Sequence, residues 1–257
     1  MIITIANQKG GVGKTVTAIN LAAALGGLKK RSTLLVDMDP QGHSSLSFLQ
    51  TRNERKTIYS VFRQECDIRD AIISIKEEGI DLLPSEIELA KVERDLVSEI
   101  DGQFRLKDIL TPLINEYEFI LVDTPPALGM LTINCLVAAQ HLVVPIQSSY
   151  LSLEGTDDLL DTVDKIRARF NPGLRLLGAL VTIHDRRTVL GQDSVNRVRQ
   201  IFGDAAFSTV ISKSVRLEES PAYRLSIFRH APESISAEEY LKLSEEVIER
   251  VNASRSS

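Results

Sequence analysis

Nine consecutive residues near the start of the 257-residue chain carry the clearest chemistry: Asn7-Gln8-Lys9-Gly10-Gly11-Val12-Gly13-Lys14-Thr15. Glycines at this density let backbone N–H groups turn inward around phosphate oxygens, and a lysine at the end of the turn neutralises the β- and γ-phosphates. The following helix adds the partial positive charge of its N-terminus. Thr15 supplies a hydroxyl ligand for Mg²⁺, so the set Gly10, Gly11, Val12, Gly13, Lys14 and Thr15 reads as a triphosphate cradle.

A triphosphate site also needs a carboxylate for the metal shell and a group that orients the attacking water. Two runs provide them. Leu34-Leu-Val-Asp37-Met-Asp39-Pro-Gln-Gly42 ends an apolar segment with two carboxylates, and Phe119-Ile-Leu-Val-Asp123-Thr-Pro-Pro126 ends another with one. Four apolar residues closing on an aspartate is the pattern in which the carboxylate holds Mg²⁺ through water, here Asp123. Each carboxylate taken alone could equally cap a helix. Asp37 reads as structural or as support for the metal shell, and the two alternatives stay open.

These residues must be held by something. Short apolar runs at Ile2 to Ala6, Thr33 to Val36, Ile80 to Leu83, Phe119 to Val122, Leu142 to Ile146 and Leu176 to Ile183 alternate with segments of helical period. Ala18, Leu21, Ala22 and Leu25 fall at i, i+3, i+4 and i+7, and Gly26-Gly27 is expected to stop that helix. An acidic amphipathic helix is expected over Ala237 to Val251, with a frayed tail from Ala253 to Ser257. Alternation of this kind predicts an α/β fold, a doubly wound, mostly parallel sheet flanked by helices, over one domain spanning residues 1–252.

Composition narrows the function classes. With 43% hydrophobic and 25% charged residues and no apolar run long enough to span a bilayer, the chain reads as a cytoplasmic globular protein. The two cysteines, Cys66 and Cys135, form no CxxC pair and are expected to be buried thiols, and the four histidines lack zinc-ligand spacing, so no transition metal is expected. Net charge is −5, yet the segment His184 to His230 holds eight Lys and Arg against five Asp and Glu. That local excess supports a phosphate-binding face.

The general phosphate-loop pattern places glycine where this chain has Gln8, and the chain adds a second lysine, Lys9. In this deviant Walker A form it resembles the ParA/MinD family of ATPases. The resemblance continues through Val144 to Gly155, Thr182-Ile-His-Asp185-Arg-Arg-Thr188, Ser214-Val-Arg216-Leu and Ala237-Glu-Glu-Tyr240-Leu-Lys-Leu, which are similar to the short ParA/Soj type. It implies that Lys9 reaches into a partner subunit's site in a homodimer that sandwiches two ATP molecules. It also implies that Asp39 orients the hydrolytic water and stands near the metal, and that the Pro125–Gly129 turn is a second switch. Val16 stands where the family usually has threonine, and its N–H can still serve the α-phosphate. Ile211-Ser212-Lys213-Ser214 replaces the family's usual Ile-Pro-Arg-Asn beside the adenine, with Ile211, Ser212 and Lys213 as candidate base contacts.

The family's second activity, binding DNA without sequence preference, implies roles for Arg186, Arg187, Arg197, Arg199, Arg216 and Arg224 and a nucleoid-associated location. A ParB-like protein that stimulates slow hydrolysis is the implied partner, and DNA segregation the implied function. Positioning of a protein cargo is an alternative. A MinD-like membrane role is a further one, and the glutamates of the last helix, Glu238, Glu239, Glu245, Glu246 and Glu249, argue against membrane binding.

Overall fold

A computed structural model describes residues 1–50, 56–149 and 156–255. Among the described residues eight strands form one sheet: β1 (Ile2–Ile5), β2 (Thr33–Asp37), β3 (Ile73–Ile75), β4 (Ile80–Leu83), β5 (Phe119–Asp123), β6 (His141–Gln147), β7 (Arg175–His184) and β8 (Ala206–Ser212). Their spatial order is β3-β4-β2-β5-β1-β6-β7-β8. Every neighbouring pair is parallel except β3 with β4. The connecting helices are α1 (Lys14–Ala23), α2 (His43–Leu46), α3 (Ile58–Phe62), α4 (Ile68–Ala71), α5 (Leu89–Ser98), α6 (Arg105–Leu110), α7 (Met130–Ala138), α8 (Thr156–Arg169), α9 (Val189–Phe202), α10 (Val215–Glu219), α11 (Ile227–His230) and α12 (Ile235–Arg255).

Successive strand residues point to opposite faces, so each central strand feeds two cores. Ile2, Leu34, Val36, Ile120, Val122, Leu142 and Val144 pack on one face under α3 to α9. Ile3, Ile5, Leu35, Leu121 and Val143 pack on the other under α1, α10, α11 and α12. Burial on both faces explains why the central strands read as unbroken apolar runs. Crossover helices on both faces leave a crevice at the carboxyl ends of the strands, centred on β1.

Four expectations need correction. The first helix does not stop at Gly26-Gly27: the chain continues through a wide turn over Ala24–Leu28, and a Cβ at either glycine would collide with the backbone of Glu78 or Gly79. The glycines serve close packing against the β3–β4 turn rather than termination. The tail stays helical to Arg255, because the Ser254 hydroxyl meets His141 Nε2 at 3.0 Å and the Arg175 guanidinium donates to the Ser254 carbonyl at 3.2 Å. Cys135 is buried as expected, whereas Cys66 is only partly so. Two strands, β3 and β8, form where no apolar run announced one. β3 is three residues long and exposed at its centre, and β8 is an edge strand with mixed polarity.

Candidate functional site

Asn7 leaves β1 and sets the phosphate loop: its side-chain amide donates to the Pro145 carbonyl at 2.7 Å, and its Oδ1 accepts the Lys9 N–H at 3.0 Å. Gly11 and Gly13 take φ of 71° and 83°, the left-handed region in which a side chain would be strained. The loop is tied across to β7 by the Thr182 hydroxyl, which donates to the Val12 carbonyl at 2.8 Å. Thr182 was not singled out as a site residue, since nothing in the sequence says that β7 lies two strands from β1, next to β6.

Beside this loop lies a cavity of about 520 Å³. It is lined by Gly10, Gly11 and Gly13 of the loop, Lys14, Thr15 and Val16 of α1, Asp39 and Pro126 after β2 and β5, Ile211, Ser212 and Lys213 at the end of β8, and Leu217 and Tyr240. The structure therefore gathers the loop, Asp39 and the expected base segment around one space. Val12 is buried, and Lys9 lies outside the cavity wall, its carbonyl accepting the Lys14 ammonium at 2.9 Å. Ile183, also on the wall, holds φ at 52°, a costly conformation for a β-branched residue and one that concentrates at functional sites.

The acidic residues differ sharply in setting. Asp37 and Asp123 are adjacent in register on β2 and β5, and both are fully buried. Burial raises the Asp37 carboxyl to about 6, against the donors on Ser45 and the Asp39 N–H. Burial and the neighbouring Asp37 raise Asp123 to about 7, against the hydroxyls of Thr15 and Ser44. Desolvation lowers Lys14, while the carboxylates of Asp123 and Asp39 pull it back up. Asp39 sits on the cavity wall, with Oδ1 accepting the Gln41 N–H at 2.9 Å.

Two serines connect these carboxylates to α2. The Ser44 hydroxyl donates to Asp123 Oδ2 at 2.8 Å. Ser45 donates to Asp37 Oδ2 from both its N–H (2.8 Å) and its hydroxyl (2.7 Å), and accepts the Ser85 N–H at 2.9 Å. This assigns Asp37 a structural role in the ligand-free fold, anchoring α2. The sequence reading missed both serines, although paired hydroxyls directly after Gly42-His43 were a visible signal.

Asp123 Oδ1 has no hydrogen-bond partner among the described residues despite being buried. An orphaned carboxylate oxygen below Thr15 and beside a cationic loop is suited to a hard cation with oxygen ligands. The residues present thus fit magnesium.

The arginines fall in several places. Arg186 and Arg187 follow β7, Arg197 and Arg199 are exposed on α9, Arg216 lies on α10, and Arg224 follows it at φ 59°. Arg186 pairs with Glu239, Arg187 with Asp185, and Arg216 with Glu219. Part of the Val144–Gly155 motif, residues 150–155, lies outside the described residues.

A parallel sheet with a glycine loop after its central strand, a lysine and threonine opening the next helix, and a buried aspartate on the adjoining strand defines a P-loop nucleoside triphosphatase of the deviant Walker A type. Residues 1–176 match a family described as an AAA domain. The chain is 40% identical over 247 residues to the sporulation initiation inhibitor protein Soj of Bacillus subtilis, covering 96% of this chain and 97% of that one. It is 39% identical to the chromosome partitioning protein ParA of Myxococcus xanthus, covering 97% and 88%. Among solved structures, one described as cobyrinic acid a,c-diamide synthase from Mycobacterium smegmatis with bound ATP analog and magnesium superposes with a TM-score of 0.77 at 32% identity, covering 91% of this chain and 97% of that one. The chain belongs to the ParA/Soj family of P-loop ATPases.

Proposed function

We propose that the chain is an ATP- and magnesium-dependent switch that dimerises around nucleotide, binds DNA without reading sequence, and segregates DNA with a ParB-like stimulating partner. The observation that carries the nucleotide half is the cavity itself: the glycine loop, Lys14, Thr15 and Asp39 line it, and the buried Asp123, with its orphan oxygen, contacts the Thr15 hydroxyl. Resemblance to Soj and ParA over nearly the whole chain supports the cargo.

In this reading Lys14 and the loop N–H groups bind the phosphates, and Thr15 and Asp123 hold the metal. Bound magnesium supplies charge neutralisation on the phosphates. Asp39 orients the attacking water, Val16 contributes an N–H, and Ile211, Ser212 and Lys213 enclose the base. Lys9, at the head of the loop and outside its own cavity wall, acts in this reading on a partner's nucleotide.

DNA binding measured with ATP, ADP and no nucleotide across a salt series, beside a liposome control, tests the whole reading. ATP-dependent binding with a steep salt slope is expected, flattened when Arg186 and Arg187 are both changed to Ala. Liposome binding without DNA binding would overturn it in favour of a membrane role.

A further inference from the structure

Gly129 ends the turn that follows Asp123 and stands as the N-cap of α7. Its φ of −85° and ψ of −172° lie in the extended region open to any residue, so the backbone does not call for glycine there. Space does. A Cβ built on Gly129 would collide with the Glu93 carboxyl of α5, and the nearest atoms it would meet all belong to that group. We propose that Glu93 is a positioning residue for the nucleotide site: seated on the N-cap of α7, its carboxylate holds the Pro125–Gly129 turn against the cavity and so favours ATP over ADP. The proposal rests on the cavity being the nucleotide site.

The turn connects Gly129 to the cavity directly. Asp123, at its start, contacts the Thr15 hydroxyl, and Pro126 lines the cavity. A metal at such a carboxylate bridges the β- and γ-phosphates, which marks this end of the site as the one where ATP and ADP differ. Pro125 and Pro126 stiffen the turn, and the Thr132 hydroxyl ties it to α7 by donating to the Ala127 carbonyl at 2.5 Å. Where Gly129 is held therefore decides where Pro126 stands.

The two ends of this part of α7 are held differently. Asn134 is buried, donates to the Gly102 and Met130 carbonyls at 3.0 Å each, and accepts the Leu106 N–H at 3.0 Å. That fixes the body of α7 to the segment joining α5 and α6. At the first turn Gly129 has no side chain with which to cap the helix. The first N–H groups of a helix lack partners within it and carry partial positive charge. Glu93 brings the missing anion from α5. Lys91 and Asp95 on the same helix pair with Glu88 and Arg63, whereas Glu93 joins no ion pair among the described residues, so its charge is left to act on the helix end. Without that charge the turn would spread over more positions, and a ligand that uses the turn would bind less tightly.

The test is calorimetric binding of ADP and of a non-hydrolysable ATP analogue, each with magnesium, at a protein concentration where light scattering shows single chains. Glu93→Gln keeps the shape of the side chain and removes its charge. It should weaken the ATP analogue about two- to fivefold and leave ADP unchanged. Equal losses for both nucleotides would make Glu93 a merely structural group, and no loss for either would leave the contact without consequence; each result overturns the proposal. Gly129→Ala, whose Cβ displaces the carboxyl, should reproduce the selective loss and add nothing to it in a Glu93→Ala background. Losses that multiply would show the two residues acting independently and would also overturn it. Glu93 is only half-buried, and urea midpoints near the parent's are expected for its variants. A parent chain that binds neither nucleotide would sink the nucleotide reading together with this one, whereas a parent that binds both, with no selective loss in the variants, removes the role of Glu93 alone.

Discussion

At the scale of single residues, the site separates binding from turnover. Lys14 is the cation of the cradle and already leans on the loop carbonyl of Lys9. Lys14→Ala removes the charge proposed to meet the β- and γ-phosphates, so calorimetry should show ATP affinity lost. Asp39 stands on the cavity wall and makes no bond to the loop glycines, so Asp39→Ala should bind ATP with near-parental affinity and fail to hydrolyse it. Normal phosphate release by that variant would remove Asp39 from the chemistry. Ser45 offers a contrasting case, since it supports the site without facing it. Its hydroxyl is the 2.7 Å donor to a buried carboxylate and the acceptor for Ser85 N–H. Ser45→Ala should cost about 2–3 kcal/mol of stability in urea unfolding. A cost below about 0.5 kcal/mol would mean that Asp37 finds another donor.

At the scale of elements, stability depends on how α12 closes the amino ends of the strands. His141 begins β6 against Ser254 of α12, buried with Nδ1 unpartnered among the described residues. Burial, then Arg175, the N-terminal ammonium and Arg255, lower its imidazole to about 4. Its folded pKa lies below the unfolded value, so between these two values the unfolded chain binds more protons and stability falls as pH drops. The parent chain should lose about 2 kcal/mol more than His141→Gln between about pH 7 and pH 5. Parallel curves would contradict that burial. The same elements show what the sequence could and could not convey. β1, β2, β5 and β6 were legible because burial on both faces leaves continuous apolar runs, and the loop after β1 because phosphate chemistry restricts residue types so severely. β8 was not, since an edge strand needs no such run, although its last residues line the cavity. Gly26 and Gly27 read as a stop because local sequence cannot show the β3–β4 backbone that approaches them. Ser44 and Glu239 stayed hidden for a related reason: their partners lie 79 and up to 53 residues away, and only the fold brings them together.

At the scale of the whole molecule, a net charge of −5 would repel DNA unless basic residues act from one face, and the His184–His230 segment supplies the excess. A single copy offers few such contacts, with Arg186, Arg187 and Arg216 each engaged by a carboxylate of its own chain. Two copies joined around nucleotide would double the basic face, and because counterion release scales with the phosphates neutralised, doubling steepens the salt dependence and tightens binding together. The proposed dimer therefore accounts for a DNA switch more economically than any rearrangement within one chain. Lys9 is the residue on which this turns. It heads the loop outside its own cavity wall, so Lys9→Ala should leave nucleotide affinity of the single chain nearly unchanged while abolishing ATP-dependent dimers in light scattering. Loss of the dimer should carry DNA binding down with it, to the level seen with ADP. A variant that still dimerises with ATP would refute action in trans, and one that stays monomeric yet binds DNA as the parent does would show that the basic face works without pairing.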